Sequence, residues 1–251
     1  MFRFENQVAI VTGAGNGIGK ATALRFGQEG ASVVVADLDL AAAEKTVAAI
    51  QEAGGKAIAV AVDVTQRAQI EAMLAAAIAA YDHVDVLANI AGIAHDEPFL
   101  EITDEWWNRT LAINLTGVFY CSQIVARHMV ARGIEGRIVH MASTNGLVGE
   151  ELLAHYNASK FGVVGLTKTM AIELAPYKIR VNSVCPGLIQ TRLTQSAIDN
   201  PEWVKSYLPK IPLNRFGKPQ EVAAAVAYLA STDSGFITGH QLVIDGGQLT
   251  F

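Results

Sequence analysis

Short runs of valine, isoleucine and alanine alternate along this chain with longer segments whose apolar residues recur at helical spacing. The runs fall at Val8–Thr12, Ser32–Asp37, Ala57–Asp63, Val84–Asn89, Arg137–Ala142, Arg180–Cys185 and Gln241–Ile244, and each predicts a β-strand. Most are continuously apolar rather than alternating, as expected of parallel strands covered on both faces. Helical patterns lie between them, over Ile18–Gln28, Leu40–Ala53, Gln66–Ala80, Thr103–Arg132, His155–Ala175 and Gln220–Ser231. Strand and helix taking turns predicts an α/β fold, a doubly wound parallel sheet with helices on both faces. Ligands in such sheets bind beyond the carboxyl ends of the strands, so functional residues are expected there.

Composition narrows the picture. The 251 residues contain no Pro/Ser-rich or low-complexity stretch that reads as a linker, and a single domain over residues 1–251 is expected. A hydrophobic share of 51% suffices for a large core and for buried contacts between subunits. The net charge of −5, with no block of Lys/Arg, argues against nucleic acid or an anionic membrane as partner. The opening MFRFENQVAIV lacks the charged, apolar and small-residue succession of a signal peptide, and no apolar run reaches the length of a membrane span; a cytosolic protein is expected. Cys121 and Cys185 read as reduced, buried thiols. The six histidines form no pair at metal-ligand spacing, so no catalytic metal is expected.

The first strand runs into Thr12-Gly13-Ala14-Gly15-Asn16-Gly17-Ile18-Gly19, which opens the first helix. Glycines in that place let backbone approach a pyrophosphate, and the helix N-terminus offers it unpaired N–H groups. Asp37 ends the second strand, where its carboxylate can accept both hydroxyls of an adenosine ribose. A 2′-phosphate about 4 Å from that carboxylate would meet repulsion of about 4 kcal/mol per unit charge, roughly a thousandfold discrimination. Neither Asn16 nor Leu38 supplies a cation to reverse it, so the expected cofactor is NAD.

Tyr156 and Lys160 stand four residues apart in HYNASKFG, thirteen residues after Ser143. That step puts both side chains on one helix face, where an ammonium favours a neighbouring phenolate. The pair is a candidate acid/base catalyst. His155 points about 100° away around the helix and reads as a helix-start residue.

Taken in order, these motifs resemble those of the short-chain dehydrogenase/reductase family over essentially the whole chain. TGAGNGIG resembles its TGxxxGxG, LANIAG at 87–92 its NNAG segment with Asn89, Ala91 and Gly92 toward the cofactor, and Ser143, Tyr156 and Lys160 its catalytic Ser and YxxxK. The resemblance implies a single Rossmann-type domain with a seven-stranded parallel sheet. It would have a cofactor half at about 1–140 and catalytic and substrate elements at about 141–251. It also implies Asp63 and Val64 beside the adenine, Asn114 in a catalytic tetrad, Pro186, Gly187, Leu188, Ile189 and Thr191 on the nicotinamide side, and Asp245-Gly246-Gly247 as a C-terminal turn. Ile90 departs from the pattern by replacing the second Asn of the NNAG segment.

The expected activity is an NAD-dependent interconversion of a small secondary alcohol and a ketone. Tyr156 moves the proton, Lys160 stabilises its ionised form and holds the nicotinamide ribose, Ser143 hydrogen-bonds the reacting oxygen, and Asn114 holds a water on the proton path. Pocket segments are expected at Ala94–Pro98, Thr144–Leu153 and Leu188–Phe216, the last as a lid; Glu150 and Glu151 are either acceptors for the hydroxyls of a sugar or polyol or solvated loop residues. A 3-oxoacyl-(acyl-carrier-protein) reductase ranks lower, because Ile172 stands where those relatives commonly carry Arg. A nucleotide-binding regulator or scaffold is the non-enzymatic alternative, and it would not need the tyrosine. Apolar residues at Val118–Val130 and Phe161–Leu174 cover more than one helix face, which predicts a homodimer, and the resemblance extends this to a homotetramer.

Overall fold

The structure is a computed structural model describing residues 3–250; Met1, Phe2 and Phe251 of the expected domain lie outside the described residues. Seven parallel strands form one sheet: β1 (Val8–Thr12), β2 (Ser32–Asp37), β3 (Lys56–Ala61), β4 (Val86–Asn89), β5 (Arg137–Met141), β6 (Arg180–Pro186) and β7 (Gln241–Ile244). Their order is β3-β2-β1-β4-β5-β6-β7. The chain therefore winds outward from β1 to β3, returns to pair β4 with the other side of β1, and winds outward again. The crevice at the carboxyl ends of β1 and β4 is where such a sheet receives a ligand.

Strand pleating explains why the strand sequences are continuously apolar. Ala9, Val11, Val33 and Val35 face one core, packed under Phe26 of α1 (Gly17–Gln28), Ile50 of α2 (Leu40–Glu52) and Val226 of the last long helix. Val8, Ile10, Val34 and Ala36 face the other, under Met73 of α3 (Arg67–Tyr81) and a long helix between β4 and β5. Both faces of β1 and β2 are covered, so their central positions leave no room for a solvated side chain, while the edge strands β3 and β7 keep exposed positions such as Lys56 and Val243.

The helix expected over 103–132 is not uniform. It runs as α4 (Asp104–Leu111), a π-turn at Ala112–Thr116 and α5 (Gly117–Arg132), with the Gly117 N–H reaching back to the Ala112 carbonyl. One extra residue per turn rotates Asn114 into the interior, and π-turns are common at functional positions for this reason. After β5 come α6 (Ala154–Leu174), the two short helices α7 (Gln195–Ile198) and α8 (Pro201–Tyr207), and α9 (Pro219–Ala230). The expected lid is thus partly helical, closed by a small apolar cluster of Tyr207, Ile211 and Phe216. Strand 57–63 is shifted to Lys56–Ala61, which frees Asp63 for a turn. No helix among the described residues is long and apolar enough to cross a membrane.

Candidate active site

A cleft of about 450 Å³ opens at the carboxyl ends of the strands, between the glycine turn, the residues after β4 and the residues after β6. The turn is built by exclusion of side chains. A Cβ on Gly13 would stand 2.7 Å from the Ala91 Cα, and one on Gly19 only 2.0 Å from the Gly13 carbonyl oxygen. Asn16, the residue preceding α1, is extended and its side chain caps no N–H, so the first turn of α1 keeps its donors for a ligand. Ile18 and Gly17 border the cleft with it, while Gly15 lies behind, its N–H donated to Asp37 Oδ2 at 2.8 Å.

Asp37 is held by that bond and by the Asp39 N–H, which reaches Oδ1 at 2.9 Å. Each oxygen keeps a lone pair for a ribose hydroxyl. Asp39 caps α2 by accepting the Ala42 N–H at 3.1 Å, so Asp37 is not the helix cap. Leu38 beside it is 75% exposed and brings no charge. Across the cleft, Asp63 accepts the N–H and hydroxyl of Thr65 at 2.9 and 2.8 Å, a turn that presents Val64 to the cleft wall. Ala91, Gly92, Pro186, Gly187, Ile189 and Thr191 line the remaining sides. Asn89 does not: it is buried, and its amide donates to Ser122 Oγ at 3.0 Å. With donors at the turn and acceptors at Asp37, these residues fit a nicotinamide dinucleotide.

Ser143 follows β5, and Tyr156 and Lys160 lie on the first turns of α6; all three border the same cleft. Lys160 is only 3% exposed. Its Nζ donates to the Met141 carbonyl oxygen at 2.8 Å and stands 5.4 Å from the Tyr156 ring centroid. Burial lowers its pKa to about 8. Burial pushes the Tyr156 phenol up to about 12, the Ser143 hydroxyl opposing this and the Glu150 carboxylate adding to it. The direction is opposite to that expected of a phenol beside an ammonium: burial is the largest effect on Tyr156, and Lys160 is not among the groups that shift it.

Asn114 is wholly buried and does not line the cleft. Its Oδ1 accepts the Ile93 N–H at 2.9 Å, its Nδ2 donates to the Ile93 carbonyl at 2.8 Å, and a longer bond of 3.3 Å reaches Ser159 Oγ on α6. It ties the segment after β4 to α6. The departure at Ile90 costs no backbone bond, because the Ile90 N–H finds Thr12 Oγ1 at 3.1 Å.

Behind these residues runs a buried chain that sequence reasoning missed. Thr167 donates to the Val163 carbonyl at 2.7 Å, so its oxygen accepts from His140 Nδ1 at 2.9 Å. His140 Nε2 is then the acceptor for Ser122 at 3.0 Å, and Ser122 accepts from Asn89. The network assigns His140 the neutral Nδ1–H form, and burial lowers its pKa to about 3. A second missed group is Asn145, whose N–H donates to Ser143 Oγ at 3.1 Å and whose amide reaches Glu150 and Asn157. A lone His in a strand-like run and an Asn in a loop carry no signal that could have marked either.

Comparison with known proteins agrees with this geometry. A family model described as enoyl-(acyl carrier protein) reductase matches residues 13–248. The chain is 40% identical to a 3-oxoacyl-[acyl-carrier-protein] reductase of Thermotoga maritima, covering 98% of each chain. It is 42% identical to a cyclohexanol dehydrogenase of an Acinetobacter species, over 97% of this chain and 95% of that one. Identity to an NAD-dependent glycerol dehydrogenase of Listeria innocua is 40%, over 98% and 95%. Among solved structures, a short-chain type dehydrogenase/reductase from Mycobacterium marinum superposes with a TM-score of 0.95 at 40% identity, covering 99% of this chain and 97% of that one. A putative 2-deoxy-D-gluconate 3-dehydrogenase from Agrobacterium tumefaciens with bound NADP gives 0.93 at 32% identity, covering 100% and 99%. With the glycine turn, the Ser–Tyr–Lys group and the sheet order all in agreement, the chain belongs to the short-chain dehydrogenase/reductase family, nicotinamide-dependent oxidoreductases acting on CH–OH donors.

Proposed function

We propose that the protein is an NAD(H)-dependent oxidoreductase that interconverts a secondary alcohol and a ketone, with Tyr156 as its acid/base. The observation that carries this reading is the convergence of Ser143, Tyr156 and Lys160 on the end of a cleft whose other end holds Asp37. In oxidation Tyr156 accepts the alcohol proton while Ser143 holds the reacting oxygen; in reduction the same phenol returns the proton. Lys160, anchored on Met141, keeps a cation within reach of the phenol and of a ribose. A bound nicotinamide supplies the hydride acceptor or donor and, when oxidised, a positive charge that favours the phenolate. Asn114 fixes the loop at Ile93, which borders the cleft.

The preference for NAD rests on Asp37 and the uncharged Leu38. An NAD-dependent relative supports it, and the neighbour holding NADP makes the choice depend on these local charges. A second reading, reduction of a 3-oxoacyl thioester on a carrier protein, has the Thermotoga relative in its favour. Against it, Ile172 is 77% exposed and offers no cation to an acidic carrier. We assign the protein to the cytosol, in keeping with two buried free cysteines, and to a homotetramer built on the exposed apolar side chains of α5 and α6: Phe119, Phe161 and Ile172. Screening secondary alcohols with NAD at alkaline pH, followed by NADH absorbance, tests the reaction. Turnover confined to 3-oxoacyl thioesters would overturn it in favour of the second reading.

A further inference from the structure

The loop between β5 and α6 folds back on the catalytic serine. Asn145 donates its backbone N–H to Ser143 Oγ at 3.1 Å, and its side-chain amide donates to Glu150 Oε2 at 2.9 Å and to Asn157 Oδ1 at 2.9 Å. Asn157, next to Tyr156 on α6, closes the brace by donating to the Glu150 carbonyl at 3.1 Å. The Glu150 carboxylate is therefore fixed one side chain away from the catalytic hydroxyl. It is exposed, its Oε1 takes no hydrogen bond, and it makes no ion pair among the described residues.

Its charge also reaches two phenols. It raises the pKa of Tyr156 and also that of Tyr207, the buried phenol at the end of α8. Tyr207 accepts a hydrogen bond from Gln248 Nε2 at 3.1 Å, and Gln248 Oε1 is buried without a partner among the described residues. The loop beside Ser143 thus holds a fixed carboxylate with one oxygen free to accept and no cation bonded to it.

We infer that Glu150 is a specificity-determining residue, selecting neutral substrates that carry a hydroxyl beside the reacting carbon and turning away anionic ones. A neighbouring hydroxyl donates to the free Glu150 oxygen, as a charge-assisted bond. A substrate carboxylate or phosphate meets a like charge there instead. This rests on the alcohol/ketone reading above and names its substrate class.

The test compares the wild-type protein with Glu150→Gln on 2-butanol, 2,3-butanediol and 3-hydroxybutyrate with NAD; these share a carbon skeleton. The variant is expected to raise kcat/KM for 3-hydroxybutyrate relative to 2-butanol by about tenfold or more. It should lower the 2,3-butanediol ratio by about tenfold. The alkaline rise of kcat should move to lower pH, because the negative charge near the phenol is gone; a merely structural loop residue would not move it. Both ratios staying within about twofold, or an unmoved pH profile, would overturn the inference. If the wild-type protein oxidises none of the three, the alcohol/ketone reading fails separately. Binding of lactate and 1,2-propanediol to the NADH complex, followed by NADH fluorescence, then decides. Tightening of lactate relative to the diol by about fivefold or more in the variant upholds the role of Glu150, whereas an unchanged ratio, or no binding to either protein, overturns it.

Discussion

Asn114 brackets Ile93: one side-chain amide accepts the Ile93 N–H at 2.9 Å and donates to its carbonyl at 2.8 Å, as a neighbouring strand would. The π-turn is what turns that amide inward. Asn114→Leu should leave both Ile93 groups without this partner, at a cost of about 2–4 kcal/mol. For a chain of this size that is a fall in Tm of roughly 4–16 °C by thermal melt. Turnover should drop by about tenfold or more, since the segment it holds borders the cleft. A variant with wild-type Tm would show that the bracket carries no stability.

Tyr156→Phe removes only the oxygen proposed to move the proton. Turnover should be abolished, with NADH affinity by fluorescence titration within about threefold of wild type. Lys160→Ala should be comparably inactive and should bind NADH more weakly, since the ammonium on Met141 is proposed to hold the ribose. Unchanged affinity there would remove the ribose contact.

Asp37→Ala combined with Leu38→Arg exchanges a carboxylate for a guanidinium where the ribose is proposed to bind. The ratio of kcat/KM for NAD over NADP should fall by about a hundredfold or more, because the repulsion is gone and a phosphate partner has been added. Equal use of both cofactors by the unmodified protein would refute the charge argument.

His140 makes stability depend on pH. Unfolded, it takes up a proton near 6.5; folded and buried, not until about 3. Stability should therefore fall as pH drops through that window, by about 1.4 kcal/mol per pH unit, with no contribution from this group above 6.5. Urea unfolding at pH 7 and pH 5 measures it. His140→Gln should be less stable at pH 7 yet lose less between the two, and parallel losses would assign the effect elsewhere.

Phe161 at 48% and Ile172 at 77% exposure leave the outer side of α6 apolar. Light scattering at micromolar concentration should give a multiple of the 26.7 kDa chain mass, and Phe161→Asp with Ile172→Asp should lower it. A stable monomer in the unmodified protein would end the proposal of a homotetramer.

Local rules were enough for much of this protein. The run of apolar residues through Val8–Thr12 and its neighbours dictated parallel strands buried on both faces, the glycines at 13 to 19 dictated a turn that side chains cannot enter, and the step from Tyr156 to Lys160 put both on one helix face. Each depends on spacing within a few residues, which the chain carries in full. What only the tertiary structure decided joins distant positions or balances opposing effects. The π-turn that brings Asn114 to Ile93, the carbonyl of Met141 under Lys160, and the His140 chain from Asn89 to Thr167 all need backbone that only the closed sheet brings together. The direction of the Tyr156 shift belongs here too, because an ammonium four residues away is visible in sequence, whereas the loss of water around the phenol exists only once the cleft has formed.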